Sequence, residues 1–247
     1  MRLRVLRSGS DANGYILYNE SEALVIECGV AYSQCLEALD FRRGLIKGAI
    51  VSHEHGDHSK YARQYLAASI PVFASKGTLD GILKGKTEWY AKPVENKTLF
   101  KVGGFSIFPF DVRHDAAEPF GYLISHKECG VCLFATDTFY LKYKFAGLNQ
   151  IMLECNYDKE ILDKNMADGV IPAFVGERVL RSHMSIGTVL STLAASDLTN
   201  VANIVLLHLS GHNSAPESFK AKVEEATGKL VNVAVKGLDI PFSKELW

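Results

Sequence analysis

The chain lacks any long hydrophobic run: no apolar stretch approaches the roughly 18 residues that a membrane-spanning helix needs. Its opening Met1-Arg2-Leu3-Arg4-Val5-Leu6-Arg7 alternates basic with apolar residues instead of forming a secretory apolar segment. The expectation is a soluble, cytoplasmic protein with no membrane partner. It also lacks an excess of either charge. With Lys+Arg 27 against Asp+Glu 28 and a formal charge of -1, no global basic field advertises a nucleic-acid partner, so any phosphate-binding surface must be local. Cysteine is sparse and odd in number: Cys28, Cys35, Cys129, Cys132 and Cys155 do not make a disulfide framework and read as reduced thiols. Cys129-Gly-Val-Cys132 has no second pair to complete a zinc site and falls between strand-like runs, so it reads as part of a hairpin. Linkers, internal repeats and low-complexity tracts are also missing, which suits one domain over residues 1–247. No residue pattern speaks to oligomeric state.

What is present begins as a β-meander. Arg2 to Arg7, Tyr15 to Tyr18 and Ala23 to Ile26 read as strands, the first two separated by the turn-rich Ser8-Gly9-Ser10-Asp11-Ala12-Asn13-Gly14. Tyr32 to Phe41 has helical spacing, the run Gly48-Ala49-Ile50-Val51 is a buried strand, Ser59 to Ala68 a helix, Pro71 to Ala74 a strand, and a short helix runs through Leu79 to Leu83. From Lys97 the pattern turns to short strands: Thr98 to Phe100, Phe105 to Phe110, Tyr122 to Ser125, Val131 to Phe134 and Ile151 to Glu154. Helical periodicity returns over Lys159 to Asn165, Ala173 to Arg181 and Ser185 to Ala195. The strand Ile204 to Leu207, the helix Pro216 to Ala226 and the strand Leu230 to Val235 complete the chain. Two sheets' worth of apolar strands with interspersed helices predict an α/β sandwich with helices outside.

The densest chemistry is His53-Glu54-His55-Gly56-Asp57-His58, directly after the buried strand. Side chains alternate along an extended segment, so His53 and His55 share a face and can hold one ion, while after Gly56 the Asp57 and His58 side chains can face a second. Three imidazoles and a carboxylate suit zinc, or manganese or iron with added oxygen ligands. Three further candidates stand at strand ends. His114 can complete the set of His53 and His55, Asp137 can bridge two ions, and His208 can join Asp57 and His58.

These motifs, in this order, resemble the metallo-β-lactamase superfamily, whose signature is His-x-His-x-Asp-His after a buried strand. The resemblance spans nearly the whole chain. It implies the four-layer αββα sandwich and a hydrolase with two divalent ions, Zn2+ first and Mn2+ or Fe2+ as alternatives. A nearer similarity is to the YycJ/WalJ-like branch of DNA exonucleases. Ser8-Gly9-Ser10-Asp11-Ala12-Asn13 looks like its opening loop, His114-Asp115-Ala116 like its second motif, Thr136-Asp137-Thr138 like its third, and His208-Leu209-Ser210 with Asn213 like its last. The chain departs from that branch at Glu154-Cys155-Asn156-Tyr157-Asp158 and at His183-Met184-Ser185-Ile186, segments expected to shape the substrate cleft.

The expected mechanism is hydrolysis by a metal-bound hydroxide, because two close ions lower the pKa of water from 15.7 to about 7 and clamp the oxygens of a displacement. Asp57 or Asp137 would orient it, and His183 would protonate the leaving oxygen. Asn13, Arg181, Ser185, Ser210 and Asn213 are candidates for substrate binding; for Ser185 a helix cap is an equal alternative, as is a plain loop role for His183. The functions in competition are a phosphodiesterase or nuclease acting on DNA or RNA, a small-molecule ester, lactone or thioester hydrolase, and a metal-binding sensor without turnover.

Overall fold

The computed structural model describes residues 1–244. The strands are β1 (Arg2–Arg7), β2 (Gly14–Tyr18), β3 (Ala23–Ile26), β4 (Ile46–Ile50), β5 (Val72–Ala74), β6 (Ala91–Pro93), β7 (Phe100–Val102), β8 (Phe105–Asp111), β9 (Phe120–His126), β10 (Gly130–Ala135), β11 (Gln150–Glu154), β12 (Asn203–Leu207), β13 (Leu230–Val233) and β14 (Asp239–Pro241). The helices are α1 (Tyr32–Ala38), α2 (Gly56–Ser59), α3 (Ala62–Ala67), α4 (Lys76–Leu83), α5 (Lys159–Ala167), α6 (Ala173–Ser182), α7 (Ile186–Ala194) and α8 (Pro216–Thr227).

Two seven-stranded sheets form, in the orders β14-β1-β2-β3-β4-β5-β6 and β13-β12-β11-β10-β9-β8-β7. Each is half antiparallel and half parallel. In the first, pairings from β14 to β3 are antiparallel and those from β3 to β6 parallel. In the second, pairings from β7 to β10 are antiparallel and those from β10 to β13 parallel. This topological duplication leaves no trace as a sequence repeat. Its consequence is that the carboxyl ends of two sets of parallel strands are available to build one site.

The alternation of each strand divides its residues between layers. Tyr15, Leu17, Leu24 and Ile26 of the first sheet meet Phe134, Met152, Val205 and Leu207 of the second in the core between the sheets. The intervening Ile16, Ala23 and Val25 face outward under Cys35, Tyr65, Leu66, Leu79 and Ile82 of α1, α3 and α4. On the other side Ile151, Leu153, Ile204 and Leu206 lie under Val189 and Leu193 of α7 and Phe219 and Val223 of α8. The layers are therefore helix, sheet, sheet, helix, an α/β sandwich as expected. All five cysteines are buried and unpaired, with Cys129 and Cys132 at the β9/β10 hairpin inside the inter-sheet core.

Several boundaries differ from the sequence reading. The helix expected from Ser59 begins at Gly56, because its first turn is stitched to the loops beside it, and it breaks before α3. β7 starts at Phe100, not Thr98, since its hairpin register with β8 is set by the turn at Gly103, whose φ is +56°. β6 and β14 carried too little apolar pattern to be read; β14 adds to the edge of β1 through ion pairs of Arg2 and Arg4 with Asp239. α5 and α6 pack on each other through Leu162, Met166, Val179 and Leu180 beside Tyr157 and Ile171, forming a small satellite core of their own.

Candidate metal centre

β4 delivers His53 and His55 from its carboxyl end, and the single turn α2 presents Asp57 and His58. That turn is clamped by backbone. Asn13 N–H donates to the Asp57 carbonyl at 2.7 Å, Cys28 N–H to the His58 carbonyl at 2.7 Å, and Gly29 N–H to the Asn13 carbonyl at 3.0 Å. A Cβ on Gly29 would stand 1.7 Å from the Asp57 carbonyl oxygen, so the three segments touch only because residue 29 has no side chain. Glu27, Asp137 and His208, at or just past the ends of β3, β10 and β12, all take the left-handed conformation, with φ of 66°, 46° and 54°. This conformation is sparsely populated outside glycine and is sustained here by the surrounding packing.

The ligand atoms converge in two overlapping sets. His53, His55 and His114 form one, and Asp57, His58, Asp137 and His208 form the other, each with its nitrogen and oxygen atoms within 4.8 Å of one another. Asp137 Oδ2 lies 3.7 Å from His53 Nε2, 3.5 Å from His114 Nε2 and 3.4 Å from His58 Nε2, so its carboxylate stands where both sets meet. Two atoms each about 2.0–2.1 Å from one tetrahedral ion stand about 3.4 Å apart. These separations have that scale. The fit has a second sign: His53 Nε2, facing Asp137, is buried without a hydrogen-bond partner among the described residues, a costly arrangement that an ion relieves, whereas His58 turns Nε2 to the cluster and Nδ1 to Glu27 at 3.6 Å.

The electrostatics divide the imidazoles. Burial, aided by repulsion from His58, pushes His53 well below the ordinary imidazole range, leaving it neutral and ready to ligate. For His58 burial acts in the same direction but is outweighed by the Asp137 and Glu27 carboxylates, which hold it well above that range. His208 is likewise pushed up to about 10, against burial, by Asp137, Asp57 and Glu154. Asp57 is depressed because the hydrogen bonds from His208 and His58 outweigh the cost of burial.

His183 is brought to the same place. It ends α6, lines the pocket of about 240 Å³ with His55, Asp57, His114, Asp137 and His208, and stacks on His208 with ring centroids 5.3 Å apart. Its Nδ1 sits 2.6 Å from Oε1 of Glu154. Glu154 is fully buried, and its other oxygen accepts the Thr138 and Met184 N–H groups. Asp137, Glu154, His183 and His208 thus make a third convergent group. Burial alone would lower His183, but the Glu154 carboxylate raises it above its usual value. Glu154 and Glu27 were not singled out as site residues in the sequence. The available signal was the one that found Asp137 and His208: a charged residue closing a buried apolar strand.

The substrate-binding candidates fare differently. Asn13 is buried behind the ligands, its amide nitrogen 3.2 Å from Asp57 Oδ2 and 3.0 Å from the Gly9 carbonyl, so it braces Asp57 and does not line the pocket. Ser185 caps α7, its hydroxyl accepting the Thr188 N–H at 3.1 Å. Ser210 accepts the Asn213 N–H, and Asn213 in turn accepts from Asn165; both shape the loop after His208 away from the pocket lining. Arg181 lies in a neighbouring recess with Asp115, Phe174 and Arg178.

A family model described as a β-lactamase superfamily domain matches residues 25–209, and the chain belongs to that superfamily. Membership and the His/Asp cluster together support a metal-dependent hydrolase. Among curated proteins the chain is 29% identical to exodeoxyribonuclease YycJ of Bacillus anthracis, over 91% of this chain and 88% of that one. Among solved structures it is similar to the metallo-β-lactamase fold protein YhfI from Bacillus subtilis, with TM-score 0.68, 14% identity and coverage of 97% and 99% of the two chains. It is also similar to Zn2+-bound PqqB from Methylobacterium extorquens, with TM-score 0.69, 15% identity and coverage of 98% and 100%. No helix among the described residues is long and apolar enough to cross a membrane.

Two outcomes follow for the centre. Gly29→Ala should cost about 1–3 kcal/mol of stability by overpacking and should weaken metal retention, because the segment forced aside carries Asp57 and His58. Gly56, whose Cβ would meet nothing within 4 Å, serves as the contrast: Gly56→Ala should melt like the parent chain. Thermal unfolding with metal analysis reads both. Metal binding should also release protons, since an ion must displace those held by His58 and His208. Titration calorimetry near pH 7.5 in buffers of different ionisation enthalpy should give about two protons per chain, with affinity falling as pH is lowered. Proton-neutral binding would mean that both imidazoles are already neutral in the metal-free chain.

Proposed function

We propose that the protein is a phosphodiesterase, and within that class a nuclease acting on DNA or RNA. The observation that carries this reading is the joining of two ligand sets by Asp137 beside an uncommitted, carboxylate-held His183. The similarity to an exodeoxyribonuclease over most of both chains supports the nucleic-acid substrate. In this reading His53, His55 and His114 would hold one divalent ion and Asp57, His58 and His208 the other, with Asp137 available to both. The donor set of imidazole and carboxylate favours Zn2+, with Mn2+ and Fe2+ as alternatives. Five buried, unpaired thiols suit a reducing compartment such as the cytoplasm.

Bound at these residues, the ions would supply Lewis acidity and a nucleophile at neutral pH. The chain's own groups do the rest. Asp57 Oδ2, held by Asn13, His58 and His208, is positioned to orient an attacking water. A phosphodiester's alkoxide leaves poorly unless protonated, and His183 supplies the proton. Glu154 accepts from its Nδ1, which turns the opposite edge of the ring to the pocket, and the same carboxylate keeps the ring protonated by raising its pKa.

The test separates the acid from the metal ligands. His183→Ala should retain bound metal but lose roughly 10²–10⁴-fold in turnover of an unactivated phosphodiester. A nitrophenyl diester, whose leaving group needs no proton, should lose far less. Because the protonated ring is the competent form and its pKa is raised, parent activity on the unactivated substrate should fall as pH rises through that value. The variant should lack this alkaline limb. Equal losses on both substrates would assign His183 to positioning. Turnover of a thioester or lactone, with none of single- or double-stranded DNA or RNA, would replace the phosphodiesterase reading.

A further inference from the structure

α6 passes along the metal pocket, to which it contributes Val175, Arg178 and Val179. Its far side is anchored: a Cβ on Gly176 would meet the Met166 sulfur of α5 at 2.1 Å, so the two helices are in close contact there. Phe174, Arg178 and Arg181 stand at i, i+4 and i+7 and therefore share one face, turned away from that contact. Phe174 is 74% exposed. Arg178 donates to Asp115 at 3.1 Å, whereas Arg181 has no hydrogen bond or ion pair among the described residues. These side chains line a recess of about 280 Å³ with Glu177 and Ser182, and Arg178 belongs to both this recess and the metal pocket. The two cavities adjoin at Arg178, with Val175 and Val179 on the metal side and Phe174 on the other.

More exposed rings follow the bridging aspartate. Phe139 and Tyr140 are 43% and 38% exposed, with centroids 5.9 Å apart and planes at 88°. The Phe139 N–H is fixed to the Arg113 carbonyl, one residue before His114. Single exposed hydrophobics are ordinary. Exposed rings on α6 and in the segment just after Asp137, the former sharing a recess with a guanidinium that has no partner among the described residues, form a pattern with a chemical match.

We propose that the recess under α6 is a subsite for an unpaired nucleotide, with Phe174 stacking the base adjacent to the scissile phosphate and Arg181 contacting a flanking phosphate. The inference rests on the phosphodiesterase reading and narrows its substrate to single-stranded nucleic acid. A stacking platform needs a free face of the base, which a strand offers once unpaired and a duplex keeps buried in its own stack. The partial neutralisation of Arg178 by Asp115, with Glu177 alongside, leaves Arg181 as the cationic contact, so stacking carries much of the affinity and charge a smaller part.

Binding can be read apart from turnover by fluorescence anisotropy of the metal-loaded protein with short phosphorothioate oligonucleotides, deoxy and ribo, single-stranded and as blunt duplex. Single strands of either sugar should bind well above the duplex. Phe174→Ala should lose about tenfold or more, and Phe174→Tyr should keep the affinity. Because Phe174 is exposed, loss of folding is not expected, and the thermal midpoint checks this. Arg181→Ala should flatten the dependence of log K on log salt by about 0.7. Parent-like binding by Phe174→Ala, or duplex bound as tightly as single strand, overturns the subsite while leaving phosphodiester hydrolysis standing. Absence of binding to every oligonucleotide, with hydrolysis of another ester, overturns the subsite and the phosphodiesterase reading together.

Discussion

The structure depends on how a single buried carboxylate is surrounded. Asp137 has oxygens 3.4 to 3.7 Å from nitrogens of His53, His58, His114 and His208, rings supplied by three segments that are distant in the sequence. Taking a carboxylate out of water is expensive unless it is compensated by opposite charge or hydrogen bonds. In the metal-free chain the surrounding carboxylates favour the protonated forms of His58 and His208, and Asp137 is held well below the usual carboxylate range despite its burial. The same arrangement is a site from which cations can displace those protons, so metal binding and the charge balance of the core are one problem.

Around this point the fold supplies rigidity in proportion to the need for it. The candidate ligands lie at or just past the ends of strands whose two faces are both packed, the stiffest part of the molecule. α2, which bears Asp57 and His58, is too short to hold itself and is pinned by carbonyl contacts to Asn13 and Cys28. Beyond the ligands, Glu27, Asn13 and Glu154 are buried polar groups whose contacts fix His58, Asp57 and His183. The α5 and α6 pair contrasts with this frame: it has a small separate core of its own, and α6 lends Val175, Arg178 and Val179 to the pocket.

Most of the candidate ligand pattern was legible because it rides on strong local signals. Four ligand-type residues in six after an apolar strand, and His114, Asp137 and His208 at strand ends, require only that the strands be recognised. The weak edge strands β6 and β14 were not legible, since pairing at an edge is decided by a neighbour and not by an apolar pattern of their own. Nor was the parting of roles among the polar residues near the motifs. Ser185 and Arg181 flank His183 at similar distances in sequence, yet one hydroxyl is consumed by a helix cap and one guanidinium faces an open recess.

The sequence by itself determined the family, the layered α/β class and which side chains are chemically able to bind metal, because each follows from residue type, spacing and strand periodicity. Only the tertiary structure decided that Asp137 stands between the two ligand sets, that Glu154 is the partner of His183, and that Asn13 works behind the site instead of within it. Those facts depend on distances between segments up to a hundred residues and more apart. They are set by sheet order, by left-handed turns at strand ends and by close backbone contact at Gly29, none of which has a periodic signature along the chain.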